Sequence, residues 1–265
     1  MLGLSARLVP SVLPRLVTLL AVSAVLFAGP PTASAQVKVI LSGGFTAAYR
    51  ELLPQFEKET GITVTTTSGG SVGSGPNTIG GQIRRGVAAD VVILAREGLR
   101  DLIAEGRTVP GTDRDLGRSI IGMVVRAGAP KPDISTVAAL RQVLLNAKSV
   151  AMSSSTSGVY LTTTLFPKLG ITEQMAPKTT MQGAVLVGRG EAEIGLQQVS
   201  ELLPIQGTTF VGTIPEDVQY VTTYAAAVIA SSTQVEAAKR LIAFLGSESS
   251  AAAIVKSGME PVRSK

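Results

Sequence analysis

The 265 residues carry 24 Lys and Arg against 19 Asp and Glu, a formal net charge of +5, with neither histidine nor cysteine. Those two absences exclude Ser-His-Asp and Cys-His nucleophiles, the common zinc ligands, thiolate-held iron–sulfur clusters and any disulfide framework. The basic residues form no block interleaved with aromatics, so the charge does not describe a nucleic-acid surface.

At the front, Arg7 and Arg15 flank or precede an apolar run, 16–28, too short for a stable membrane span. Ala33-Ser34-Ala35 is a small-x-small cleavage site before Gln36. A secretory signal peptide over residues 1–35, cleaved after Ala35, is therefore expected. No cysteine follows the cut, so no lipid anchor is expected. The mature chain stays mildly basic and has the length of one large domain or two modest lobes.

Residues 37–41 are a short β-branched run leading into Ser42-Gly43-Gly44 and an amphipathic helix. There Phe45, Ala48, Tyr49, Leu52, Leu53 and Phe56 recur at helical spacing against a polar face that includes Arg50, Gln55 and Lys58. Pro54 is expected to kink this helix, and Gly61 to end it before a strand at 62–67. Strand, glycine turn, helix, strand is a βαβ unit with a right-handed crossover and a parallel sheet. The grammar repeats through the loop Ser68-Gly69-Gly70-Ser71-Val72-Gly73-Ser74-Gly75-Pro76, a polar helix at 77–85, a buried strand at 90–94 and a helix at 97–105.

A long apolar strand is predicted at 119–126, then a helix capped by Ser135 and running to Ala147, and a strand at 149–152. The loop Ser153-Ser154-Ser155-Thr156-Ser157-Gly158 follows and opens a helix to Leu169. Further on come a helix at 181–187, strands at 194–198 and 209–212, and an extended run at 218–229. Thr233 and Glu236 fit a capping box for a helix to Gly246, and 249–256 is the last helix.

Three times, then, a strand runs into glycines and hydroxyls that open a helix. Glycines let backbone N–H groups turn inward and serines add hydroxyl donors, which together hold an anion without formal positive charge. In a doubly wound sheet such loops meet beyond the carboxyl ends of the strands. Long strands near 120 and 222 bracket a central block, which predicts one lobe of 36–123 with 224–265 and another of 124–223. The two crossover strands would be the hinge.

Val39-Ile40-Leu41-Ser42-Gly43-Gly44-Phe45, Phe56-Glu57-Lys58-Glu59-Thr60-Gly61-Ile62, the Gly/Ser loop, Ala89-Asp90-Val91-Val92-Ile93, 195–200 and Gly212-Thr213-Ile214-Pro215, in this order, resemble the periplasmic molybdate-binding proteins of ABC importers. The resemblance covers nearly the whole mature chain. It implies an α/β fold, the two-lobed type II periplasmic binding protein, each lobe a mainly parallel sheet flanked by helices. It also implies an oxyanion held by serine hydroxyls, backbone N–H groups and a tyrosine. Carried over by position, the first serine falls on Gly44, with Ser42 two residues earlier, and the second on or near Ser74, with Ser71 close. The alanine-glycine contact falls on Ser157-Gly158 and the tyrosine on Gln198.

The expected ligand-binding set is Ser42, Gly43, Gly44, Ser71, Ser74, Ser155, Ser157, Gly158 and Gln198. Gly44 and Gln198 depart from the family pattern, and the loop that carries Ser71 and Ser74 is about two residues longer than the family's, so the expected anion widens from a molybdate-type oxyanion to a larger one such as a small organic carboxylate. The expected function is capture of that anion for an inner-membrane ABC permease by a monomeric periplasmic protein without cofactor or metal. A partner sensor or a system without an ABC transporter is the alternative. No enzyme is expected, since the pairs Asp113 with Asp115, Glu191 with Glu193 and Glu216 with Asp217 read as exposed turns. Arg84 and Arg85 read as a solvated helix face, and Tyr49, Tyr160, Tyr220 and Tyr224 are left outside the site, Tyr49 as core.

Overall fold

The computed structural model describes Gly3 and residues 35–262; the leader predicted at 1–35, Ala35 and Gly3 apart, and the final basic residues lie outside them. The strands are β1 (Gln36–Leu41), β2 (Thr63–Ser68), β3 (Val91–Ala95), β4 (Arg114–Arg126), β5 (Val150–Met152), β6 (Thr179–Thr180), β7 (Ile194–Gln198), β8 (Thr208–Thr213), β9 (Val221–Val228) and β10 (Glu260–Pro261). They form one mixed sheet in the order β2-β1-β3-β9-β4-β7-β5-β6, with β8 and β10 pairing β4 off that path.

Two parallel groups sit at the ends of this order. β1 is parallel to β2 and β3, and β5 is parallel to β6 and β7. Between them β9 and β4 run antiparallel to their neighbours. β4 joins the groups by changing partners: its 114–120 segment pairs with β9, and its 121–126 segment pairs with β7 and β8. The carboxyl ends of β1, β3, β5 and β7 therefore approach a common region from two sides.

Alternation along the strands explains the layers. Val37, Val39 and Leu41 of β1, with Val91, Ile93, Ala226 and Val228, pack under Phe45, Tyr49, Leu52 and Phe56 and under the helix Val235–Leu245. Ile40, Val92, Leu94, Ala225 and Ala227 face the other way, against Ile79, Leu99 and Leu102. Both faces are covered, so these strands read as continuous apolar runs. The second group repeats this, with Met123, Val150, Met152, Ile194 and Leu196 in one layer and Val124, Ala151 and Val187 in the other.

The helix Thr46–Thr60 runs through Pro54, its buried face outweighing one missing backbone donor. Other local expectations differ from the structure at the starts of elements. Thr136, not Ser135, caps the helix Val137–Asn146, its Oγ1 accepting from the Ala139 N–H at 3.1 Å. The helix expected at 181–187 begins only at Val185, because Gln182 is bridged to Ser153. The capping box at Thr233 is replaced by a long-range tie: Ser232 Oγ accepts from the Gln234 N–H at 3.0 Å and donates to Asp90 Oδ1 at 2.6 Å.

Asp90 is thus a junction. Its Oδ2 also accepts from the Lys38 N–H at 2.7 Å, and the side chain is buried. Asp90→Ala leaves those donors unpaired and should lower stability by about 1–3 kcal/mol, read as a shift of the urea midpoint without a change of slope.

Candidate functional site

Ser71 lies at the centre of a hydrogen-bonded cluster beyond the strand ends. Its Oγ accepts from the Ala95 N–H at 2.9 Å and donates to Ser42 Oγ at 2.6 Å. Its N–H donates to Ser155 Oγ at 3.0 Å, which ties the loop after β2 to the loop after β5. Ser42 is placed by its own N–H, which donates to the Ile93 carbonyl at 2.8 Å. Ser42 and Ser155 are therefore acceptors within the cluster, and each keeps its hydroxyl hydrogen for another acceptor.

The chain supplies further polar groups at the same ends. Thr156 Oγ1, Ser157 Oγ and Gln198 Oε1 are buried without a hydrogen-bond partner, and so is Glu97 Oε2. Leaving such a group unpaired costs about 1–3 kcal/mol, so this concentration marks a place built to meet a ligand. Gln198 Nε2 donates to Thr222 Oγ1 at 2.7 Å. A half-turn of that amide lets the Thr222 hydroxyl donate instead and frees the nitrogen as a donor.

Tyr224, from β9, sits against Gly44: a Cβ on Gly44 would overlap the tyrosine hydroxyl and ring. Burial, then the carboxylates of Glu201 and Glu97, push the Tyr224 phenol well above its ordinary range, so it stays neutral. Tyr220 donates to Glu97 Oε1 at 2.6 Å and stacks on Tyr160 with ring centroids 4.7 Å apart. Glu201, on the helix Val199–Leu202, is half-buried, and desolvation raises it to about 7 although a hydrogen bond from Gln197 pulls the other way.

Beside Gly43 opens a pocket of about 310 Å³ whose lining includes Thr46, Arg50, Gln197, Ser200 and Glu201. It takes side chains from the β1 end and from the β7 end together. A wider groove of about 620 Å³, lined by Gly43, Gly69, Gly70 and Arg85, lies along the Gly/Ser loop. Among the described residues no group of three or more Asp or Glu is arranged to hold a metal ion.

Of the residues predicted from sequence, the structure brings Ser42, Gly43, Gly44, Ser71, Ser155, Ser157 and Gln198 to this region. Ser74 stands apart: it is exposed and lines an outer groove with Arg84, Arg85 and Glu105. Ser71, three residues earlier and buried, takes the inner place. Gly158 is buried because a Cβ there would collide with the Ser153 carbonyl, so its requirement is close packing of the loop. Arg84 pairs with Glu105 at 2.6 Å, and Arg96 binds Asp113 and Asp115, which removes that aspartate pair as free acid–base groups. Sequence reasoning missed Glu97, Thr156, Glu201, Thr222 and Tyr224. The only local signal for two of them was their place one or two residues beyond a strand end or inside the serine loop.

The sequence between residues 37 and 260 matches the family model for bacterial extracellular solute-binding proteins. The chain belongs to that family. A solute-binding relative, the molybdate-binding protein ModA of Escherichia coli K12, is 27% identical over 73% of this chain and 77% of its own. The periplasmic molybdate-binding protein of Azotobacter vinelandii superposes with a TM-score of 0.64 at 21% identity, covering 86% of this chain and all of that one. The two-lobed α/β architecture of type II periplasmic binding proteins is thereby established for this solute-binding chain, as is its kinship with the molybdate-binding proteins. A third relative changes the functional expectation. The aconitate isomerase of Pseudomonas sp. is 42% identical over 94% of this chain and 98% of its own length. The expectation that no enzyme is involved is overturned by that relative, since a catalyst shares this solute-binding sequence almost end to end. The elimination from composition failed because it removed histidine and cysteine chemistry and left carboxylates seen only as exposed turns.

Gly44→Ala should destabilise the protein by about 1–3 kcal/mol through overlap with Tyr224. In a Tyr224→Ala background the same change should cost almost nothing further, a coupling that a double-mutant cycle in urea reads directly.

Proposed function

We propose that this chain binds an unsaturated tricarboxylate of the aconitate class and interconverts its isomers, working in the periplasm after removal of residues 1–35. The observation that carries this reading is the pocket of about 310 Å³ that contains Arg50 and opens at Gly43, the residue that follows Ser42 in the chain. A tetrahedral oxyanion needs the hydroxyl shell alone, whereas a carbon skeleton bearing several carboxylates needs adjoining room and a second anionic contact. The 42% identical relative points the same way.

On this reading one carboxylate accepts from Ser42, Ser155, Thr156 and Ser157, and Arg50 meets another at the pocket mouth. The lobes, residues 36–123 with 224–265 and residues 124–223, close on the ligand about β4 and β9. Interconverting cis and trans aconitate requires loosening a carbon–carbon double bond. Reversible addition of a thiolate is one general route, but the chain has no cysteine. The other moves a proton along the three-carbon allylic unit. The hydroxyl shell then stabilises charge that spreads from carbon onto a bound carboxylate.

A second reading, delivery of a small anion to an ABC permease, is favoured by the serine shell, Ser42, Ser71 and Ser155, and by the family to which the chain belongs. Thermal unfolding against cis-aconitate, trans-aconitate, molybdate and sulfate separates the two ligand classes. At a hundred times its dissociation constant an aconitate isomer should add about 2.7 kcal/mol, and Arg50→Ala should lose most of that gain. Stabilisation by molybdate alone would sink the tricarboxylate reading.

A further inference from the structure

The pocket at Gly43 contains one carboxylate, Glu201, together with Arg50 and Thr46. Its Oε1 stands 2.5 Å from where a Cβ on Gly43 would be, so the bare backbone at 43 gives this carboxylate its place. Among the described residues neither Glu201 nor Arg50 has an ion-pair partner within 4.0 Å. The neutral group beside Glu201 is Gln197, four residues earlier, which lines the same pocket. Gln197 Oε1 accepts from the Ala184 N–H at 2.9 Å, which leaves the amide nitrogen free to face Glu201.

That environment suits proton transfer. A salt bridge would fix the carboxylate in its ionised form, but a single neutral donor in a half-buried site leaves desolvation dominant and the group near 7. The charged group sharing the pocket is Arg50, and Tyr224 of β9, beside Gly44, is kept neutral by burial. Glu97 is the other carboxylate of the region, but it does not line this pocket and its Oε1 is taken by Tyr220.

Resting on the isomerase reading above, we propose that Glu201 carries the proton between the two allylic carbons of the bound tricarboxylate, with Gln197 positioning its carboxylate. Glu201 removes a proton from the methylene carbon, and the electron pair of that C–H bond enters a delocalised allylic anion. The same proton, or one exchanged with solvent, returns from Glu201 to the former vinyl carbon, and the double bond is left on the other side of the central carbon. Nothing is oxidised or reduced, no co-reactant is consumed, and Glu201 ends ionised as it began.

The test follows cis-aconitate in deuterated buffer by proton NMR with the purified full chain. The wild type should form the trans isomer, and its rate should rise with pH through about 7 and then level, because the ionised form is the base. Glu201→Gln should still bind cis-aconitate calorimetrically but isomerise it about 10²- to 10⁴-fold more slowly. Gln197→Ala should move the midpoint of the rate profile upward, because the bond it removes favours the ionised form. A readout independent of turnover is the pH dependence of stability. The carboxyl is raised from 4.5 to about 7 by folding, so the wild type should lose stability as pH rises from 4.5 to 7, and Glu201→Gln should flatten that slope. If the wild type isomerises cis-aconitate and Glu201→Gln does so equally fast, the assignment of Glu201 falls while the isomerase reading stands. If the wild type neither binds nor isomerises it, both fall. Should Glu201→Gln fail to fold, a wild-type rate that is flat between pH 6 and 8 overturns the assignment on its own.

Discussion

The hydrogen bonds of one residue, Ser71, set the geometry of the cleft. Its hydroxyl is pinned by the Ala95 N–H at the end of β3 and pinned again to Ser42 at the end of β1, while its backbone N–H reaches Ser155 in the loop after β5. A chain of hydrogen bonds polarises its members, and here the direction of donation runs outward, toward Ser42 and Ser155. The hydroxyl hydrogens at the two ends of this chain are thereby left for something that is not protein. Because the contact with Ser155 joins parts of the molecule 84 residues apart, the donor set exists only when both halves of the sheet are in register. The site is a property of both halves together, and no single loop owns it.

The sequence carried the framework well, and physical reasons separate what it carried from what it did not. Strand ends running into glycine and serine before a helix are local events, readable in a few residues, and they led to Ser42, Ser71, Ser155 and Ser157. The strand at Ile194–Gln198 was legible to the residue because apolar side chains there are bounded by a clear turn and a helix start. What escaped were contacts decided at long range. Tyr224 belongs to the site only because Gly44, 180 positions earlier, has no side chain, and nothing near Tyr224 in the chain says so. Glu201 looks like an ordinary first-turn acid of a short helix until the backbone of Gly43 is laid against it. Thr233 and Glu236 have the spacing of a capping box, yet a distant aspartate captured Ser232 and moved the helix start. Local propensity lost there to a buried carboxylate that the Lys38 N–H alone does not satisfy.

On the proposed assignment, the same two glycines make room in a binding-protein fold for proton transfer. At position 44 the missing side chain admits a neutral phenol, and at position 43 it admits a carboxylate. A shell built from serine hydroxyls and backbone N–H groups carries no formal charge, so it does not dictate the ionisation of an acid placed beside it. A cleft lined by arginines would hold a neighbouring glutamate fully ionised and low in basicity. The neutral shell leaves desolvation to decide, and desolvation moves Glu201 toward neutrality. On the proposed assignment, an anion trap and a proton-transfer site differ by little more than which side chains fill the space that two glycines vacate.

The aromatic residues give this arrangement an optical side. The chain has no tryptophan and four tyrosines. Tyr49 is buried away from the cleft with its hydroxyl 2.8 Å from Thr66, while Tyr224 touches Gly44, Tyr220 holds Glu97, and Tyr160 lies stacked on Tyr220. Three of the four tyrosines therefore sit within one or two contacts of the cleft. The intrinsic absorbance and emission of this protein are, in effect, a report on the state of its cleft, available without any label.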